Sequence, residues 1–349
     1  MARNPGGARS RLGTARWVSG IGLFLAIGAG GSAILVSHSE SEAGSITVDQ
    51  EVAPALTEAD PGARVETFLL VGSDTRAGAD PNDPDFGSIG DENETTGRRS
   101  DTIMLLRHDL ETGEAALLSL PRDLWLKIAD GGHKARINTA YSKGTNVLVD
   151  TIEEELGVAV NHYVEVDFQG FKELVDAVDG VPACFDYATR DKNTGLSVSM
   201  PGCYVLDGVQ SLQYTRSRHF QEFRDGKWQE DTRADLGRIA RQQQFILDAV
   251  SKAQGRMSEN PFTLESLINA AQAALVVDPR LDVFKLASRF SELAAEDIVA
   301  YQLPVAPDTI DGNAVLLLNE DDAEPILEYF AGRGPAPATD LFAETTNGN

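Results

Sequence analysis

The segment YTRSRHFQEFRDGKWQEDTRADLGRIARQQQ, residues 214–244, carries six arginines in a chain whose formal net charge is -24. We interpret YTRSRHF as a strand end or loop and RADLGRIARQQQFILDAV as a helix, which turns about 100° per residue. Asp235, Arg238 and Gln242 then lie on the same side of the helix as its apolar residues. The side that should enter the core therefore begins with charged and amide groups.

Charged groups on a buried helix face need partners, because an unpaired buried charge costs several kcal/mol. One interpretation is a structural network of ion pairs between Asp235 and the arginines. The other is an anion site, in which forked guanidinium donors bind a phosphate through paired hydrogen bonds. The segment by itself is compatible with both.

Composition limits the classes of function. The 349 residues, 42% of them hydrophobic, suffice for one large core or two smaller ones. The acidic charge argues against nucleic-acid binding, which depends on neutralising phosphates over an extended basic face. The five histidines and two cysteines show no zinc-ligand spacing, so a metal ion would be held by carboxylates.

The N-terminus has the pattern of a membrane anchor. Residues 1–16 contain four arginines and no acid, and residues 17–37 contain no ionisable side chain, which is long enough to span a bilayer. The positive-inside rule predicts a cytoplasmic N-terminus and an extracytoplasmic remainder, hence a single-pass protein of the cell membrane. A cleaved signal peptide is the alternative, because Ser41-Glu42-Ala43 resembles a cleavage site. We favour an uncleaved anchor, followed by a solvated linker over residues 38–64.

Polar side chains stand at the ends of three predicted strands. Asp74 follows the apolar run VETFLLVG, Asp101 precedes TIMLLRHDL, and Arg122 follows AALLSLP. The second and third runs predict a hairpin. Because ligand sites of α/β folds lie at the rim of the sheet, we expect these three side chains to share one rim with the arginine-rich segment.

Other elements are predicted from apolar periodicity, and residues 77–97 have the composition of a surface loop. The predicted helices cover residues 146–156, 168–178, 264–275, 283–293 and 321–330. Further strands are predicted at residues 162–166, 298–303 and 314–318.

Six motifs, in this order along the chain, resemble those of the LytR-CpsA-Psr family of bacterial cell-envelope proteins. They are GSDTR (72–76), RRSDT (98–102), SLPRD (119–123), RINTAY (136–141), LDGVQSLQYTRSR (206–218) and DLGRIARQQ (235–243). The resemblance implies an α/β fold, an α-β-α sandwich with a mixed central sheet and a hydrophobic pocket for a lipid tail. It places the catalytic domain at residues 65–333, behind one N-terminal transmembrane helix, and leaves residues 334–349 as a disordered tail.

The resemblance also implies an activity. Family members are phosphotransferases that move a glycopolymer from a polyprenyl diphosphate carrier to a hydroxyl of peptidoglycan, with Mg²⁺ as cofactor and in some cases a pyrophosphatase side activity. Breaking a phosphoanhydride spreads negative charge over phosphate oxygens, which arginines and Mg²⁺ stabilise. The expected partners are therefore the lipid-linked polymer, peptidoglycan and the membrane, and no nucleic acid.

The resemblance also implies roles for individual residues of this chain. Asp74 and Asp101 are similar to the magnesium-linked aspartates, and Arg99, Arg122, Arg216 and Arg218 to the diphosphate-binding arginines. The polar helix corresponds to Asp235, Arg238 and Gln242. Substrate contacts are further expected from four neighbours of these motifs: Arg76, Asp123, Arg136 and Asn138.

The sequence leaves two points open. The general base could be Asp101, Asp123 or Asp235, and the transferred polymer could be a teichoic acid, a capsule or an arabinogalactan. The segment between Asp74 and Asp101 is longer than in compact family members, so a shared site requires it to loop clear.

Cys184 and Cys203 bracket 18 residues in the predicted extracytoplasmic part. An even number of cysteines in an oxidising compartment predicts a disulfide. Two buried free thiols are the alternative.

Two other classes of function compete with the transferase. One is a non-catalytic protein that holds polyprenyl diphosphate for another enzyme. The other is an envelope-linked transcription regulator, which the acidic charge and the outward topology oppose.

Overall fold

A computed structural model of the protein describes residues 46–59, 62–75, 99–259, 263–282 and 297–338. The predicted cytoplasmic segment, the predicted membrane helix, Arg76, the loop over residues 77–97 and the helix predicted at 283–293 lie outside these ranges. Among the described residues, no helix has the length and apolar character needed to cross a membrane.

The described residues form seven α-helices and seventeen β-strands, which we number in chain order. The helices are α1 Ile137–Lys143, α2 Thr145–Leu156, α3 Phe168–Ala177, α4 Gly208–Arg216, α5 Ala234–Glu259, α6 Thr263–Ala274 and α7 Glu320–Phe330. The strands are β1 Thr47–Val48, β2 Val65–Ser73, β3 Ser100–Asp109, β4 Ala115–Leu120, β5 Trp125–Lys127, β6 Lys134–Arg136, β7 His162–Val166, β8 Val181–Phe185, β9 Thr189–Asp191, β10 Leu196–Val198, β11 Gly202–Leu206, β12 Gln221–Arg224, β13 Lys227–Glu230, β14 Leu275–Val277, β15 Ile298–Gln302, β16 Val305–Ile310 and β17 Asn313–Leu318.

Seven strands form the central sheet in the order β1-β14-β7-β2-β3-β4-β15. The sheet is mixed, because β2 pairs antiparallel with β3 and parallel with β7. The middle strands are near-continuous apolar runs, which is typical of strands buried on both faces. The predicted β2 strand and the β3–β4 hairpin are therefore confirmed.

Successive residues of the middle strands face two separate cores, because side chains alternate across a sheet. Phe68, Met104 and Leu117 pack with residues of α3, α5 and α6 on one face. Leu69 and Leu105 pack with α1, α2 and α7 on the other face. Helices thus cover both faces of a mixed sheet, as the resemblance predicts.

The predicted disulfide is present. β8 and β11 form an antiparallel pair in which Cys184 and Cys203 are directly opposite each other. Their sulfur atoms are 2.02 Å apart. The alternative of two free thiols is wrong.

The predicted solvated linker is wrong for residues 46–59. β1 pairs parallel with β14 at the edge of the central sheet. Val52 and Leu56 are buried against the α1–α2 side of the sheet, and the Asp49 carboxylate accepts a hydrogen bond from Thr145 Oγ1 at 2.9 Å. The Glu, Ala and Pro residues gave this stretch the composition of a linker, although Val52 and Leu56, four positions apart, fill the core.

The segment YTRSRHF is also corrected, because Tyr214, Thr215 and Arg216 are the last residues of α4. A capping box starts this helix: Asp207 accepts from Gln210 N, and the Gln210 side chain accepts from Asp207 N. This signature, DGVQ, was present in the sequence and places Arg216 in the last helical turn.

Helices α3, α4 and α6 approach one another closely at glycines. A Cβ atom added at Gly208 would lie 2.7 Å from Lys172 O of α3. One added at Gly170 would lie 2.7 Å from Ala274 O of α6. The backbones are therefore in contact, which fixes the spacing of the helices that flank the cleft described below.

We expect Gly208→Ala to lower the free energy of unfolding by about 1–3 kcal/mol, because α4 must move away from α3. The matched control is Gly255→Ala in α5, where an added Cβ meets no atom within 4 Å. That substitution should stabilise the protein by about 0.5–1 kcal/mol, since alanine is the better helix former. Urea unfolding of both variants measures the difference. Equal midpoints would show that the close approach of α4 to α3 does not restrict the side chain at residue 208.

Candidate functional site: an arginine cluster at the end of an apolar cleft

A β-bulge in the central sheet sets the position of Asp101. Gly72 pairs with Thr102, whereas the next residue, Ser73, pairs with Ser100, so Asp101 is an extra residue on β3. A bulge changes the direction in which a side chain points. Asp101 and Thr102 consequently both line the same cleft beside the sheet.

Three guanidinium groups surround Asp101 Oδ1. Arg122 Nη1 donates to it at 2.9 Å, Arg218 Nη2 lies at 3.6 Å and Arg238 Nη1 at 3.7 Å. Burial raises the pKa of Asp101, but Arg238, Arg218, Arg122 and Arg216 outweigh burial and hold this pKa below its ordinary value. Asp101 is therefore an anion at neutral pH.

A second carboxylate, Asp235, binds two of the same arginines. Its Oδ1 is 2.9 Å from Arg238 Nη2 and 3.4 Å from Arg218 Nε. Arg218 and Arg238 thus bridge Asp101 and Asp235.

Positive charge is concentrated at this point, because four guanidinium groups act on Asp101. Three carboxylates, those of Asp101, Asp123 and Asp235, form ion pairs with these arginines. The structural ion-pair network that the sequence allowed is therefore present.

Several arginine N–H groups in the cluster are buried without a hydrogen-bond partner among the described residues. They include Nε and Nη1 of Arg238, Nη2 of Arg218 and Nε of Arg122. The Arg238 side chain is only 1% exposed. Burial lowers the pKa of Arg238, while Asp235 and Asp101 oppose the shift. Burial also lowers the pKa of Arg218, to about 10, which still leaves it charged at neutral pH. Three of these atoms face a carboxylate oxygen of Asp101 or Asp123 at 3.6–3.7 Å, which is longer than a hydrogen bond. Desolvated, charged donors with such long contacts favour the binding of an anion.

The cluster closes one end of an apolar cleft of about 820 Å³, its open mouth included. The polar residues at this end include Asp101, Thr215, Arg216 and Gln242. Apolar side chains from α3, α4 and α5 line the rest: Phe168, Phe171, Leu174, Leu212, Phe245, Ile246 and Ala249. The Arg216 guanidinium lies over the Phe168 ring, 4.3 Å from its centroid, where charged and apolar surfaces meet.

The polar helix face predicted from residue spacing is confirmed as buried, because Arg238 and Gln242 are both almost fully enclosed. Gln242 Nε2 donates to Thr215 O at 3.1 Å, which joins α5 to the last turn of α4. Together with Arg238 and Asp235, Gln242 fixes the arginines that follow Thr215.

Arg241 is a positioning residue that our prediction of the site omitted. Its guanidinium donates to Asp231 Oδ2 at 3.1 Å and to Ser217 O, and lies over the Phe220 ring at 4.3 Å. Arg241 therefore holds the chain on both sides of Arg218. Its membership in the arginine-rich segment was the available signal.

The remaining predicted residues lie around this centre. Asp123 is 3.7 Å from Arg122 Nε and 3.3 Å from Arg136 Nη1. Asn138 Oδ1 accepts from Ser100 N at 2.9 Å, so it fixes the start of β3 next to Asp101.

Asp74 and Arg99 lie side by side at the start of β3. Asp74 Oδ1 accepts from Arg99 N at 3.0 Å, and the Asp74 N–H donates to Arg99 O at 2.9 Å. Within the described ranges, no group of three or more His, Cys, Asp or Glu side chains could hold a metal ion. Two arginines of the opening segment lie outside the cluster: Arg224 pairs with Glu222, and Arg233 with Asp231.

The model of the LytR_cpsA_psr family matches residues 35–330, a range that contains the bulge, the arginine cluster and the cleft. The chain belongs to this family. The membership expected from the six motifs is therefore confirmed.

Individual LytR-CpsA-Psr proteins are similar to this chain in sequence and in fold. The "probable cell wall biosynthesis protein LcpB" of Corynebacterium glutamicum is 33% identical over 241 residues, which cover 68% of this chain and 54% of LcpB. The "polyisoprenyl-teichoic acid–peptidoglycan teichoic acid transferase TagU" of Bacillus mycoides is 29% identical over 282 residues, which cover 77% of this chain and 81% of TagU. A solved LytR-Csp2A-Psr enzyme from Actinomyces oris has a TM-score of 0.64 at 25% identity, covering 83% of this chain and 97% of that one.

The chain spans about half the length of the corynebacterial relatives that it matches, 54% of LcpB and 50% of LcpA. The likeness to the Actinomyces structure extends over almost all of that structure, so the described elements have the family's mixed α/β fold.

We expect Arg238→Ala and Arg218→Ala to differ in stability. Arg238→Ala removes the closest counter-charge of Asp235, at 2.9 Å, and a buried guanidinium that also faces Asp101, so it should cost about 3–5 kcal/mol. Arg218 is 30% exposed, and its removal relieves repulsion within the cluster, so its cost should stay within about 1 kcal/mol. Chemical denaturation measures the free energy of unfolding of both variants. Equal losses would show that the buried Arg238 does not support the fold more than the exposed Arg218 does.

Proposed function

We propose that this protein transfers a glycopolymer from a polyprenyl diphosphate carrier to a hydroxyl group of peptidoglycan. The observation that carries the proposal is the junction of the apolar cleft with a cluster of buried arginines around Asp101. A lipid-linked diphosphate has the same division into an apolar tail and a compact anion. TagU is named as a teichoic acid transferase, which supports a glycopolymer as the group that the donor carries.

In the proposed reaction, the acceptor hydroxyl oxygen attacks the sugar-linked phosphorus and a new O–P bond forms. The anhydride P–O bond breaks, the lipid phosphate leaves, and the hydroxyl proton passes to a base. Negative charge spreads over the non-bridging oxygens during this step. Arg216, Arg218, Arg238 and Arg122 supply fixed positive charge, so little reorganisation accompanies the reaction.

The surroundings of Asp101 assign it a positioning role. A carboxylate whose pKa is held low by arginines is a weak base. Asp101 Oδ1 instead orients Arg122, Arg218 and Arg238 around one point.

We propose Mg²⁺ as the cofactor, held by Asp74 and Asp101. Mg²⁺ is commonly bound by one or two carboxylates together with substrate phosphates, and it would neutralise charge on the diphosphate. Asp74 directly follows β2, and Asp101 lies in the bulge of the neighbouring strand. Because four arginines act on Asp101, a divalent cation is repelled there until a polyanion is present. The residues therefore fit a Mg²⁺ ion that binds together with the diphosphate.

We also propose that the protein is anchored in the cell membrane by residues 17–37, with the catalytic domain outside. The apolar, uncharged sequence of this segment and the arginines before it support this topology. The Cys184–Cys203 disulfide supports an oxidising compartment.

Arg216→Ala and Arg218→Ala should each lower the rate of transfer by roughly a hundredfold or more, because each removes a donor to the developing phosphate charge. The assay incubates the full-length protein with a lipid-linked diphosphate sugar, Mg²⁺ and peptidoglycan fragments, and measures release of lipid phosphate. Arg333→Ala is the matched control, since Arg333 pairs with Glu328 on the surface.

The same assay separates the transferase from a protein that only holds the lipid. If the unaltered protein binds the lipid diphosphate but never releases lipid phosphate, the non-catalytic alternative is correct. Near-normal turnover by either arginine variant would contradict the assignment of the diphosphate site.

Binding of Mg²⁺ and of a diphosphate should be coupled. In isothermal titration, we expect Mg²⁺ to bind at least roughly tenfold more tightly when a non-hydrolysable lipid diphosphonate is present, and the diphosphonate to gain equally from Mg²⁺. Asp74→Asn should remove the coupling and leave binding of the diphosphonate without metal intact. Equal Mg²⁺ affinity with and without the ligand would contradict this site.

A further inference from the structure

A hairpin interrupts the arginine-rich segment between two residues of the site. β12 and β13 occupy Gln221–Arg224 and Lys227–Glu230, after Arg218 and before Asp235. The turn is Asp225-Gly226, with φ angles of 53° and 76°, as a two-residue hairpin turn requires. Residues of this hairpin have no part in the cluster or in the lining of the cleft.

One face of the small sheet β10-β9-β12-β13 is open and aromatic. Phe223 is opposite Trp228, and Gln221 is opposite both Arg190 and Glu230. Because side chains alternate along strands, these five side chains share one face. The Phe223 ring is 44% exposed and lies 5.4 Å from the Trp228 ring.

Planar polar groups are held beside these rings. The Arg190 guanidinium lies 4.0 Å from the centroid of the Trp228 ring. Its Nε donates to Gln221 Oε1 at 2.9 Å, and Glu230 Oε1 is 2.7 Å from His219 Nδ1. The face therefore presents aromatic rings with hydrogen-bonding groups in fixed positions.

The opposite face of this sheet is tied to the arginine cluster. Thr189, Asp191 and Leu196 are buried there. Asp191 Oδ2 accepts from Ser217 Oγ at 2.7 Å and from His219 N at 3.0 Å. These contacts flank Arg218, so the open face and the anion site are held together as one unit.

The chemistry of the open face fits a sugar chain. The apolar C–H faces of a pyranose ring can lie on aromatic rings, and its hydroxyls can pair with guanidinium, amide and carboxylate groups. Arg190 and Glu230 carry opposite charges, so the face has no excess charge that would select an anion. We call the surface formed by Arg190, Gln221, Phe223, Trp228 and Glu230 the aromatic platform.

The position of the aromatic platform favours binding of the acceptor substrate rather than of the lipid-linked donor substrate. Asp101 and Arg216 line the apolar cleft. Arg218 contacts Asp101, and Asp235 contacts Arg218, but neither Arg218 nor Asp235 lines the cleft. In phosphoryl transfer, the attacking and leaving oxygens are roughly in line. If the lipid phosphate leaves towards the cleft, the attacking hydroxyl arrives from the side of Arg218. Phe223 is five residues from Arg218, a reach of at most about 17 Å.

We propose that the aromatic platform binds the glycan strand of the acceptor peptidoglycan and directs one of its hydroxyls to the arginine cluster. This inference rests on the proposed function, because it identifies the acceptor side of that reaction.

The first test measures binding alone. Soluble, uncrosslinked glycan strands from peptidoglycan are titrated into the full-length protein and into the double variant Phe223→Ala/Trp228→Ala. We expect the dissociation constant to rise roughly tenfold in the double variant, because two stacking rings are lost. Tyr204→Ala, which removes a ring that is 37% exposed on another hairpin, should bind as the unaltered protein does.

Two single substitutions separate stacking from general apolar contact. Trp228→Phe keeps a flat ring and should retain most of the affinity, whereas Trp228→Leu keeps apolar volume without a ring and should lose it. Thermal unfolding confirms that each variant folds. If the double variant, or Trp228→Leu, binds the glycan as tightly as the unaltered protein, the platform is not the glycan site.

The second test measures transfer. The double variant should show a roughly tenfold higher KM for the glycan acceptor, with unchanged binding of the lipid diphosphonate. An unchanged KM overturns the platform while leaving the proposed transferase intact. If the unaltered protein binds the glycan through the platform but releases no lipid phosphate, the proposed function fails and the glycan surface stands.

Discussion

The buried pairing of Arg238 with two carboxylates is the interaction on which the rest of the site depends. Arg238 is almost fully buried and reaches Asp235 on its own helix and Asp101 on the central sheet. A guanidinium taken out of water is costly unless it is paired. By connecting α5 to β3, this pairing holds the more exposed Arg218 in place, at a point where four guanidinium groups act on one carboxylate.

The central sheet and the helices also constrain the positions of the side chains in the site. The bulge in β3 points Asp101 into the cleft. On the helical side, Gly170 and Gly208 allow α3 to contact α6 and α4 at the backbone. An apolar cleft and a polar cluster can meet end to end because the same helices, α4 and α5, contribute residues to both.

Residue patterns in the sequence predicted where the strands and helices lie better than they predicted the contacts between these elements. Apolar runs located β2, β3 and β4, and helical periodicity placed Arg238 and Gln242 on a buried face. Two segments were assigned wrongly for local reasons. Residues 46–59 lie in a stretch rich in Ser, Glu, Ala and Pro, yet Val52 and Leu56 are buried. The end of α4 was concealed by its three charged or hydroxyl residues. No periodicity reveals a bulge, so the direction of Asp101 required the structure.

The acidic charge of the chain has a consequence for selectivity under the proposed function. A net charge of -24 repels free polyanions from most of the surface, and the field is reversed where the arginines exceed the carboxylates. A diphosphate without a lipid gains the arginine contacts alone. A lipid-linked diphosphate also buries its tail against Phe168, Leu212 and Phe245, which adds hydrophobic binding free energy. The combination favours the membrane-bound substrate over soluble diphosphates, although neither the cleft nor the cluster is selective by itself.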